Sequence, residues 1–270
     1  MPELPEVETI VRGLSRAIVG KRIRRAEVRL PKIAVAPPGV DFGKAVRGER
    51  IVGVRRRGKY AVIELASGRA LVVSLRMTGR LTVAAGRGSE SAGTHVVLWF
   101  ADGTRLDFAD VRTFGRMRLV EPAEAWDRQL GVEPLSSGFT QEAFMGMLAG
   151  RTTPIKALLL DQRRIAGIGN IYACEALWEA RIKPGRPAKA LTKPAIRRLY
   201  RAVVDVLERA VEMRGSSVDD YVDAEGSRGG FQNVLAVYGR LGEPCSRCGA
   251  PIVRTVLAQR GTWWCRTCQR

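Results

Sequence analysis

The cysteines near the end of the chain restrict its folding more than any other feature. Cys245 and Cys248 form one CxxC pair, and Cys265 and Cys268 form a second. Two such pairs at this separation are typical of a structural zinc site, in which four thiolates bind one Zn²⁺ tetrahedrally. The ion would stabilise a small unit that lacks a hydrophobic core of its own. Two disulfides are the alternative interpretation, and a reducing compartment disfavours them.

The segment between the two cysteine pairs predicts a β-hairpin. Val253–Ala258 and Thr262–Trp264 are the expected strands, and residues 259–261 are the expected turn. A turn at this place would expose Arg260 to solvent.

The chain carries a large excess of positive charge. Its 270 residues include 45 Lys and Arg against 27 Asp and Glu, which gives a formal net charge of +18. Such an excess indicates a polyanionic partner, above all nucleic acid. An ordinary basic protein and a protein of anionic membrane surfaces are the alternatives. No segment is apolar enough to span a membrane and no secretory signal is present, so we expect a cytoplasmic protein with no membrane partner.

Short apolar segments separated by turn residues fill residues 22–120. Ser67-Gly68 and Asp102-Gly103 are turn signals, and residues 84–93 form a loop rich in glycine and serine. Several strands without regular helices between them predict an antiparallel sandwich or barrel. The expected strands are Ile23–Leu30, Tyr60–Leu65, Ala70–Leu75, His95–Phe100, Arg105–Phe108 and Arg116–Val120.

Helical periodicity dominates the chain after a junction at residues 131–135. The expected helices are Gln141–Leu148, Ile155–Asp161, Ile171–Ala180 and Lys193–Met213. Gly167, Gly169 and Asn170 come directly before the third of them. Backbone N–H groups at such a helix start can hold a phosphate, although a Gly-x-Gly-Asn turn is by itself a weak signal.

The first residues combine a nucleophile with a carboxylate. If Met1 is removed, Pro2 carries a secondary amine, and an α-amino group titrates at about 7.7–8.0, so part of it is unprotonated at neutral pH. Apolar residues at helical spacing follow from Val7 to Ile18, with Pro5 in the first turn. The positive end of this helix favours the Glu3 carboxylate beside the amine. An ordinary processed N-terminus that leads into a surface helix is the alternative.

The opening Pro-Glu-Leu-Pro-Glu-Val-Glu-Thr resembles that of bacterial formamidopyrimidine-DNA glycosylases, and further matches reach the last residues. The resemblance implies a multidomain α+β protein. Residues 1–132 would form an N-terminal antiparallel β-sandwich flanked by helices. Residues 133–222 would form a helix–two-turn–helix DNA-binding bundle, and residues 223–270 a lesion loop with a four-cysteine zinc finger hairpin.

The same resemblance implies a function in base-excision repair. The expected enzyme is a monomer that acts on damaged double-stranded DNA, with 8-oxoguanine and formamidopyrimidines as substrates. It would be a bifunctional glycosylase and AP lyase that forms a Schiff base through Pro2 and completes β,δ-elimination. Glu3 would transfer protons, Lys59 would donate a proton during elimination, and Arg260 would assist the second elimination.

The resemblance also assigns contacts with DNA. Met77, Arg112 and Phe114 match the residues that fill the gap left by an extruded base, which is a task suited to these side chains. Core packing is the alternative for Met77 and Phe114. Lys156, Asn170 and Arg151 match contacts with the DNA backbone. The loop at residues 226–231 would close over the extruded base and be mobile without DNA.

Two positions depart from the family pattern. Ser74 and Gly93 stand where the family often has histidines, so His95 is the only histidine of the chain. His95 is therefore assigned either a DNA contact or a structural role. Two other functions stay open on the sequence: an endonuclease VIII-type glycosylase for oxidised pyrimidines, and a zinc protein that binds DNA without catalysis.

Overall fold

The computed structural model describes residues 1–86, 88–121, 125–218 and 221–270. Contacts divide the chain into two compact units, Met1–Gln129 with Met213–Gly230, and Leu130–Glu212 with Phe231–Arg270. Residues 213–230 thus belong with the N-terminal unit, and the cysteine hairpin belongs with the helices. The three-segment division inferred from the sequence stays a prediction. Arg87 of the 84–93 loop and residues 219–220 of the 133–222 segment lie outside the described residues.

The first unit is a sandwich of two β-sheets with one long helix. The sheets have the strand orders β1-β7-β8-β6 and β2-β9-β5-β4-β3, and every pairing is antiparallel except that of β2 with β9. Its elements are α1 (Leu4–Ile18), β1 (Ile23–Val28), β2 (Ala34–Val35), α2 (Phe42–Val46), β3 (Ile51–Arg57), β4 (Tyr60–Leu65), β5 (Ala70–Ser74), β6 (Gly79–Ala85), β7 (Thr94–Phe100), β8 (Thr104–Asp110) and β9 (Arg116–Val120), with a 3-10 turn at Ala125–Asp127. The predicted sandwich is confirmed.

One apolar core joins α1 to both sheets. The helix buries Val7, Ile10 and Leu14 at helical spacing, and strands of either sheet supply residues such as Leu71 and Leu98. Because alternate side chains of a strand face opposite sides, each sheet can present one apolar face to this shared core.

Strand β3 was not expected, because its end reads as a run of positive charge. In the structure each arginine of the run is paired with an acid. Arg55 Nε lies 2.6 Å from Glu64, Arg56 Nε lies 2.8 Å from Glu8, and Arg57 Nε lies 2.9 Å from Asp127. The arginines therefore tie β3 to its surroundings, because each has a carboxylate partner within the first unit.

The second unit contains the helices and the hairpin. The helices are α3 (Gln141–Leu148), α4 (Ile155–Leu160), α5 (Asn170–Glu179) and α6 (Lys193–Glu212), with 3-10 turns at Ala188–Ala190 and Phe231–Val234. All four predicted helices are found with ends within one residue of expectation. Helix α6 buries the predicted apolar face, including Leu199, Val203 and Leu207.

The hairpin consists of β10 (Ile252–Leu257) and β11 (Arg260–Cys265). Leu257 pairs with Arg260, so the turn is Ala258-Gln259, and both turn residues have positive φ (48° and 57°). The predicted turn at residues 259–261 is therefore wrong, because the observed turn begins one residue earlier and ends two residues earlier. A two-residue turn of this kind favours Gly or Asn, and their absence here removed the signal. Arg260 is exposed as expected, but as the first residue of β11.

In the part of the chain that the structure describes, no helix combines the length and apolar character needed to cross a membrane.

Candidate active site and metal centre

The start of α1 positions the proposed nucleophile and its carboxylate. Pro2 and Glu3 are both buried, and Glu3 is the N-cap residue of the helix. Glu3 N donates to Glu6 Oε2 at 2.8 Å as part of a capping box, which fixes how the chain enters the helix. Met1 precedes Pro2, so the Pro2 nitrogen is an amide in this form of the chain. The residue that carries this buried carboxylate therefore directly follows the one whose nitrogen removal of Met1 would free.

Lys59 lies in the tight turn between β3 and β4. Arg57 pairs with Tyr60, so Gly58 and Lys59 form a two-residue turn, and the positive φ of Gly58 (56°) favours glycine there. Lys59 is half-buried. The turn is joined to α1 through the pair between Arg56 and Glu8, and Arg56 also donates to Gly58 O at 3.3 Å.

The pair between Glu8 and Arg56 has an electrostatic consequence. Burial alone would raise the pKa of Glu8, but hydrogen bonds and charges of Arg56 and Arg12 together hold this pKa below its usual value. Glu8 is thus ionised at neutral pH and keeps the Lys59 turn attached to the helix that begins at Leu4.

Two loops of the sandwich present the side chains expected to enter DNA. Met77 follows β5, and Arg112 and Phe114 follow β8; Met77 is 41% exposed and Phe114 is 53% exposed. The Arg112 guanidinium lies 3.1 Å from Met77 Sδ and 5.1 Å from the centre of the Phe114 ring. Large apolar side chains with this exposure are not core residues, so the packing alternative is wrong for Met77 and Phe114.

Asp110 joins these two loops, and sequence reasoning missed its role. Its carboxylate is buried at the end of β8, where it accepts hydrogen bonds from Thr78 Oγ1, from Arg112 N and, at 2.6 Å, from Gly115 N. A Cβ atom at Gly115 would lie only 2.7 Å from Phe108. Asp110 and Gly115 therefore hold the loop tips close together. In the sequence, the only sign of this role of Asp110 is its position two residues before Arg112.

His95 contacts the same region from β7. Its Nε2 atom lies 3.1 Å from Asp110 O, so a proton on Nε2 would donate to that carbonyl. The structural role assigned to His95 is thus accounted for. A contact between His95 and DNA stays a prediction.

Hydrogen bonds join residues before the 226–231 loop to α1 and join the loop itself to Asp223. The Glu6 carboxylate is buried and accepts from Ser216 N at 2.7 Å, while Tyr221 Oη donates to Arg214 O at 3.2 Å. Asp223 Oδ1 accepts from Ser227 N at 2.9 Å. The expected mobility of this loop without DNA stays a prediction.

Lys156 and Asn170 form a buried polar cluster in the second unit. Lys156 is completely buried, and its ammonium donates to Asn170 Oδ1 (2.6 Å), Thr262 Oγ1 (2.7 Å) and Gly261 O (3.1 Å). Asn170 Nδ2 also donates to Gly261 O at 3.0 Å. An ammonium group has three donors and no acceptor, so it suits these oxygens. Lys156 thus fastens β11, next to Arg260, to the start of α5, and a direct contact between Lys156 and phosphate stays a prediction.

The glycines before α5 differ from the expected open phosphate cradle. Gly167 has a φ of 100°, and its N–H donates to Gln162 Oε1 at 2.9 Å. The Gln162 side chain holds the loop through its other end as well, because Gln162 Nε2 donates to Ile168 O at 2.7 Å. The Gly167 N–H is therefore engaged within the protein. Arg151 is exposed, as a backbone contact requires.

The four cysteines of the hairpin form a metal centre. Their sulfur atoms all lie within 4.8 Å of one another, with 3.5 Å between Cys248 and Cys265 and 3.9 Å between Cys245 and Cys268. Sulfurs at the corners of a tetrahedron with Zn–S bonds of about 2.3 Å are about 3.8 Å apart. A disulfide needs about 2.05 Å, so the disulfide alternative does not hold. The cysteines fit one structural Zn²⁺, and sulfur fills all four of its positions.

The fifth cysteine and a buried acid support this centre. Burial raises the pKa of the Cys174 thiol to about 11, which keeps it a neutral packing residue. Glu175 is also buried, and burial raises its pKa, although its carboxylate accepts from the backbone N–H groups of Ala236, Val237 and Tyr238 at 2.8–3.0 Å. Tyr238 in turn packs on Trp263 of β11. Sequence reasoning missed Glu175, because an acid inside an apolar helix gives no signal of its partners.

A two-sheet sandwich that begins with Pro2 and Glu3, a helical unit and a four-cysteine hairpin define a zinc-containing DNA glycosylase. Three family models agree with this class. The formamidopyrimidine-DNA glycosylase N-terminal domain matches residues 1–117, and the H2TH domain of the same enzymes matches residues 130–222. A zinc finger found in FPG and IleRS matches residues 242–270.

Similar proteins extend the match to the whole chain. A formamidopyrimidine-DNA glycosylase of Pelotomaculum thermopropionicum is 46% identical over 275 residues, which cover 100% of this chain and 99% of the relative. The MutM (Fpg) structure of Thermus thermophilus has a TM-score of 0.89 at 43% identity, covering 99% of this chain and 98% of its own. Lactococcus lactis Fpg in complex with abasic-site DNA has a TM-score of 0.91 at 36% identity, covering 99% of both chains.

The chain belongs to the formamidopyrimidine-DNA glycosylase family. It is a DNA glycosylase for oxidised purines with AP lyase activity, and it serves base-excision repair. The family assignment favours this function over the endonuclease VIII-type enzyme and over a zinc protein without catalysis. The expected site residues are divided between the two units. The first unit contains Pro2, Glu3, Lys59, Met77, Arg112 and Phe114. The second unit contains Arg151, Lys156, Asn170, Arg260 and the four zinc ligands.

Proposed function

We propose that Pro2, freed by removal of Met1, is the nucleophile that attacks C1′ of the damaged nucleotide. The bond from C1′ to the base breaks, and the base leaves with its electron pair. The C1′–O4′ bond then breaks, O4′ takes a proton, and the nitrogen lone pair forms an iminium ion, which acidifies the hydrogen at C2′. Loss of that proton expels the 3′ phosphate in the first elimination, and a second elimination expels the 5′ phosphate.

The observation that carries this proposal is the position of Glu3. Its carboxylate is buried and accepts from the N–H of Glu6 at the N-cap of α1, one residue after Pro2. The positive end of the helix disfavours a protonated amine at Pro2. In its acid form Glu3 protonates the ring oxygen of the sugar, and the resulting carboxylate then accepts and returns protons during elimination. Lys59, on the turn that Arg56 ties to α1, is the proton donor during elimination.

Three exposed side chains replace the extruded base. Met77 and Phe114 offer apolar surface that can fill the gap in the stack, and the Arg112 guanidinium can hydrogen-bond the base left without a partner. The buried Asp110 carboxylate keeps their two loops together, so the three side chains enter DNA as one unit.

The second unit holds the DNA backbone. We assign phosphate contacts to Arg151 and Asn170, with Lys156 orienting Asn170 through the 2.6 Å hydrogen bond between them. Arg260 assists the second elimination by stabilising phosphate charge, because arginine does not release its proton. His95 is assigned to the first unit as a support of Asp110 and as a further DNA contact.

The remaining proposals concern the division of the chain into segments, the oligomeric state and the cellular location. Residues 1–132 are the catalytic segment, residues 133–222 the helix–two-turn–helix segment, and residues 223–270 the lesion loop and zinc finger. We assign the enzyme to the cytoplasm as a monomer on chromosomal DNA.

Borohydride trapping tests the nucleophile. The mature protein should lack Met1 by intact mass, and borohydride should link it covalently to a duplex that contains 8-oxoguanine. Pro2→Gly and Glu3→Gln should lose base excision by at least about a thousandfold while they retain binding to the duplex. Pro38→Gly, a change in an exposed loop, is the matched control and should behave as the unsubstituted enzyme.

Two outcomes would overturn the proposal. Full excision by the Pro2 variant, or a covalent link that maps to another residue, would assign the nucleophile elsewhere. Faster excision of thymine glycol than of 8-oxoguanine would move the substrate preference to oxidised pyrimidines.

A further inference from the structure

Residues 181–201 contain eight lysines and arginines and no acidic residue. They are Arg181, Lys183, Arg186, Lys189, Lys193, Arg197, Arg198 and Arg201. Four of them, Lys189, Lys193, Arg197 and Arg201, are here called the basic belt. They are exposed, and three of them recur at intervals of four residues along one side of α6.

The belt is not neutralised within the protein. Among the described residues, none of its four side chains lies within 4.0 Å of an acidic group. The neighbouring acid Asp205 is one helical turn from Arg201 and is not paired with it either. The contrast with strand β3 is clear, because each arginine of that strand is held by a carboxylate.

The charge order of α6 opposes the stability of the helix. Its first half, where the helix dipole is positive, contains four cations and no acid. Its second half, where the dipole is negative, contains Asp205, Glu208 and Glu212 and only one cation, Arg209. Like charges four residues apart also repel each other, by about 0.2–0.5 kcal/mol per pair in isolated helices. Helix stability therefore gives no reason for this arrangement, whereas an external polyanion does.

Backbone hydrogen bonds join the belt to a proposed DNA contact. Lys189 N donates to Arg151 O at 2.8 Å, and Ala188 N donates to Thr153 O at 3.1 Å. Arg151 is exposed and is assigned to a phosphate above. The belt thus continues from Arg151 along the outer side of α6.

We propose that the basic belt binds the phosphate backbone of duplex DNA outside the site of base excision. Residues four apart on a helix rise by about 6 Å, and each DNA strand carries one phosphate per about 3.4 Å of the duplex axis. Lys193, Arg197 and Arg201 extend over about 12 Å, so they can contact several phosphates. The contact carries no base specificity and holds the enzyme on undamaged DNA. This inference rests on the proposed function, because both require DNA as the partner.

The salt dependence of binding to a long undamaged duplex tests the belt. The full-length zinc-loaded protein is compared with a variant in which Lys189, Lys193, Arg197 and Arg201 are all changed to Gln. Each lost phosphate contact lowers the slope of log K against log salt by about 0.9, so the slope should shrink by about 3–4 between roughly 50 and 200 mM salt. Thermal unfolding should show no loss of stability, since the substitutions remove repulsion.

A matched control removes the same charge from paired arginines. Arg12, Arg29, Arg163 and Arg240 are exposed or half-exposed and each pairs with an acid, so their joint change to Gln should alter the slope by less than about 1. A slope that is unchanged in the belt variant, or that falls equally in the control, would refute the belt. Excision by the unsubstituted protein tests the proposed function separately, so the two failures are distinguishable.

Discussion

Asp110 and Lys156 carry opposite charges and perform the same structural task in the two units. Asp110 is a buried anion that accepts from a hydroxyl and two backbone N–H groups, and it holds the loops of Met77 and Phe114. Lys156 is a buried cation that donates to three oxygens, and it holds the strand that begins at Arg260. In both units a buried polar side chain holds a segment that carries an exposed side chain assigned to DNA.

The surroundings of Asp110 and Lys156 differ. Asp110 lies in a sandwich with one extensive apolar core, whereas the hairpin clamped by Lys156 packs in a much smaller cluster that includes two of the zinc ligands. A small cluster contributes little burial energy, so the hairpin depends on its metal and on its polar contacts. A buried polar cluster of this kind therefore contributes a larger share of the stability where the apolar core is small.

Removal of zinc should give the largest effect. Binding of a structural Zn²⁺ contributes about 10–16 kcal/mol in small zinc units, so chelation or Cys268→Ser should unfold the hairpin and abolish strand cleavage. Amide hydrogen exchange should show loss of protection in β10 and β11 while β4 and β5 keep theirs. Equal loss of protection in both units would contradict the idea that the hairpin depends on the metal more than the sandwich does.

The second largest effect is expected for Lys156→Met. The substitution keeps most of the volume but removes the donor of Asn170 Oδ1 and of Thr262 Oγ1, while Gly261 O keeps Asn170 Nδ2, which should cost about 2–4 kcal/mol of unfolding free energy. Strand cleavage should fall with it, because Arg260 loses its fixed position. Lys44→Met removes a lysine charge from an exposed position and should change neither quantity. Unfolding and activity are measured on the zinc-loaded protein.

Asp110→Asn should have a smaller effect. One oxygen of the side chain is replaced by a donor, so either Gly115 N or the Thr78 and Arg112 donors lose their acceptor, at about 1–3 kcal/mol. Excision from a duplex should slow more than excision from single-stranded substrate, because only the duplex requires insertion of Met77 and Phe114. Asp205→Asn, at an exposed position of α6, is the control. Equal slowing on both substrates would show that Asp110 acts otherwise than through these loops.

The pair between Glu8 and Arg56 should give the smallest effect and a defined pH dependence. The pKa of Glu8 is lowered in the folded protein, so its contribution to stability is complete above the ordinary value of 4.5 and is lost as the pH falls through the folded value. Glu8→Gln should cost about 1 kcal/mol at pH 7 and progressively less in acid. Glu225→Gln alters a pair whose partners are both more than 60% exposed and should show no such trend. A constant difference across pH would contradict the ion-pair explanation.

Sequence patterns located most elements and left three strands and one helix unseen. Tyr60–Leu65, Arg116–Val120 and Gln141–Leu148 were predicted to the residue, because apolar periodicity and turn residues agree there. Strand β3 was obscured by its arginines, whose paired acids come from α1, from β4 and from Asp127. The strand is thus compatible with its charges only once tertiary contacts exist.

The candidate site shows the same division between local and distant information. The CxxC spacing was enough for the zinc ligands, since four cysteines near one hairpin can meet only around a metal or as disulfides. Asp110, Glu6 and Glu175 gave no signal, because their partners are backbone N–H groups of segments distant in sequence or of a neighbouring loop. A backbone donor has no residue type by which a sequence could reveal it.

By itself the sequence determined the zinc hairpin, the two-part pattern of strands followed by helices, and the pairing of a proline amine with a carboxylate at a helix start. These follow from spacing and periodicity, which are local. Only the tertiary structure decided which charges are available to DNA. It neutralises Arg55–Arg57, buries Lys156 among protein oxygens and leaves Lys193, Arg197 and Arg201 unpaired. The physical reason is that the strength of a charge depends on burial and on its nearest partners, and both are set when distant segments pack together.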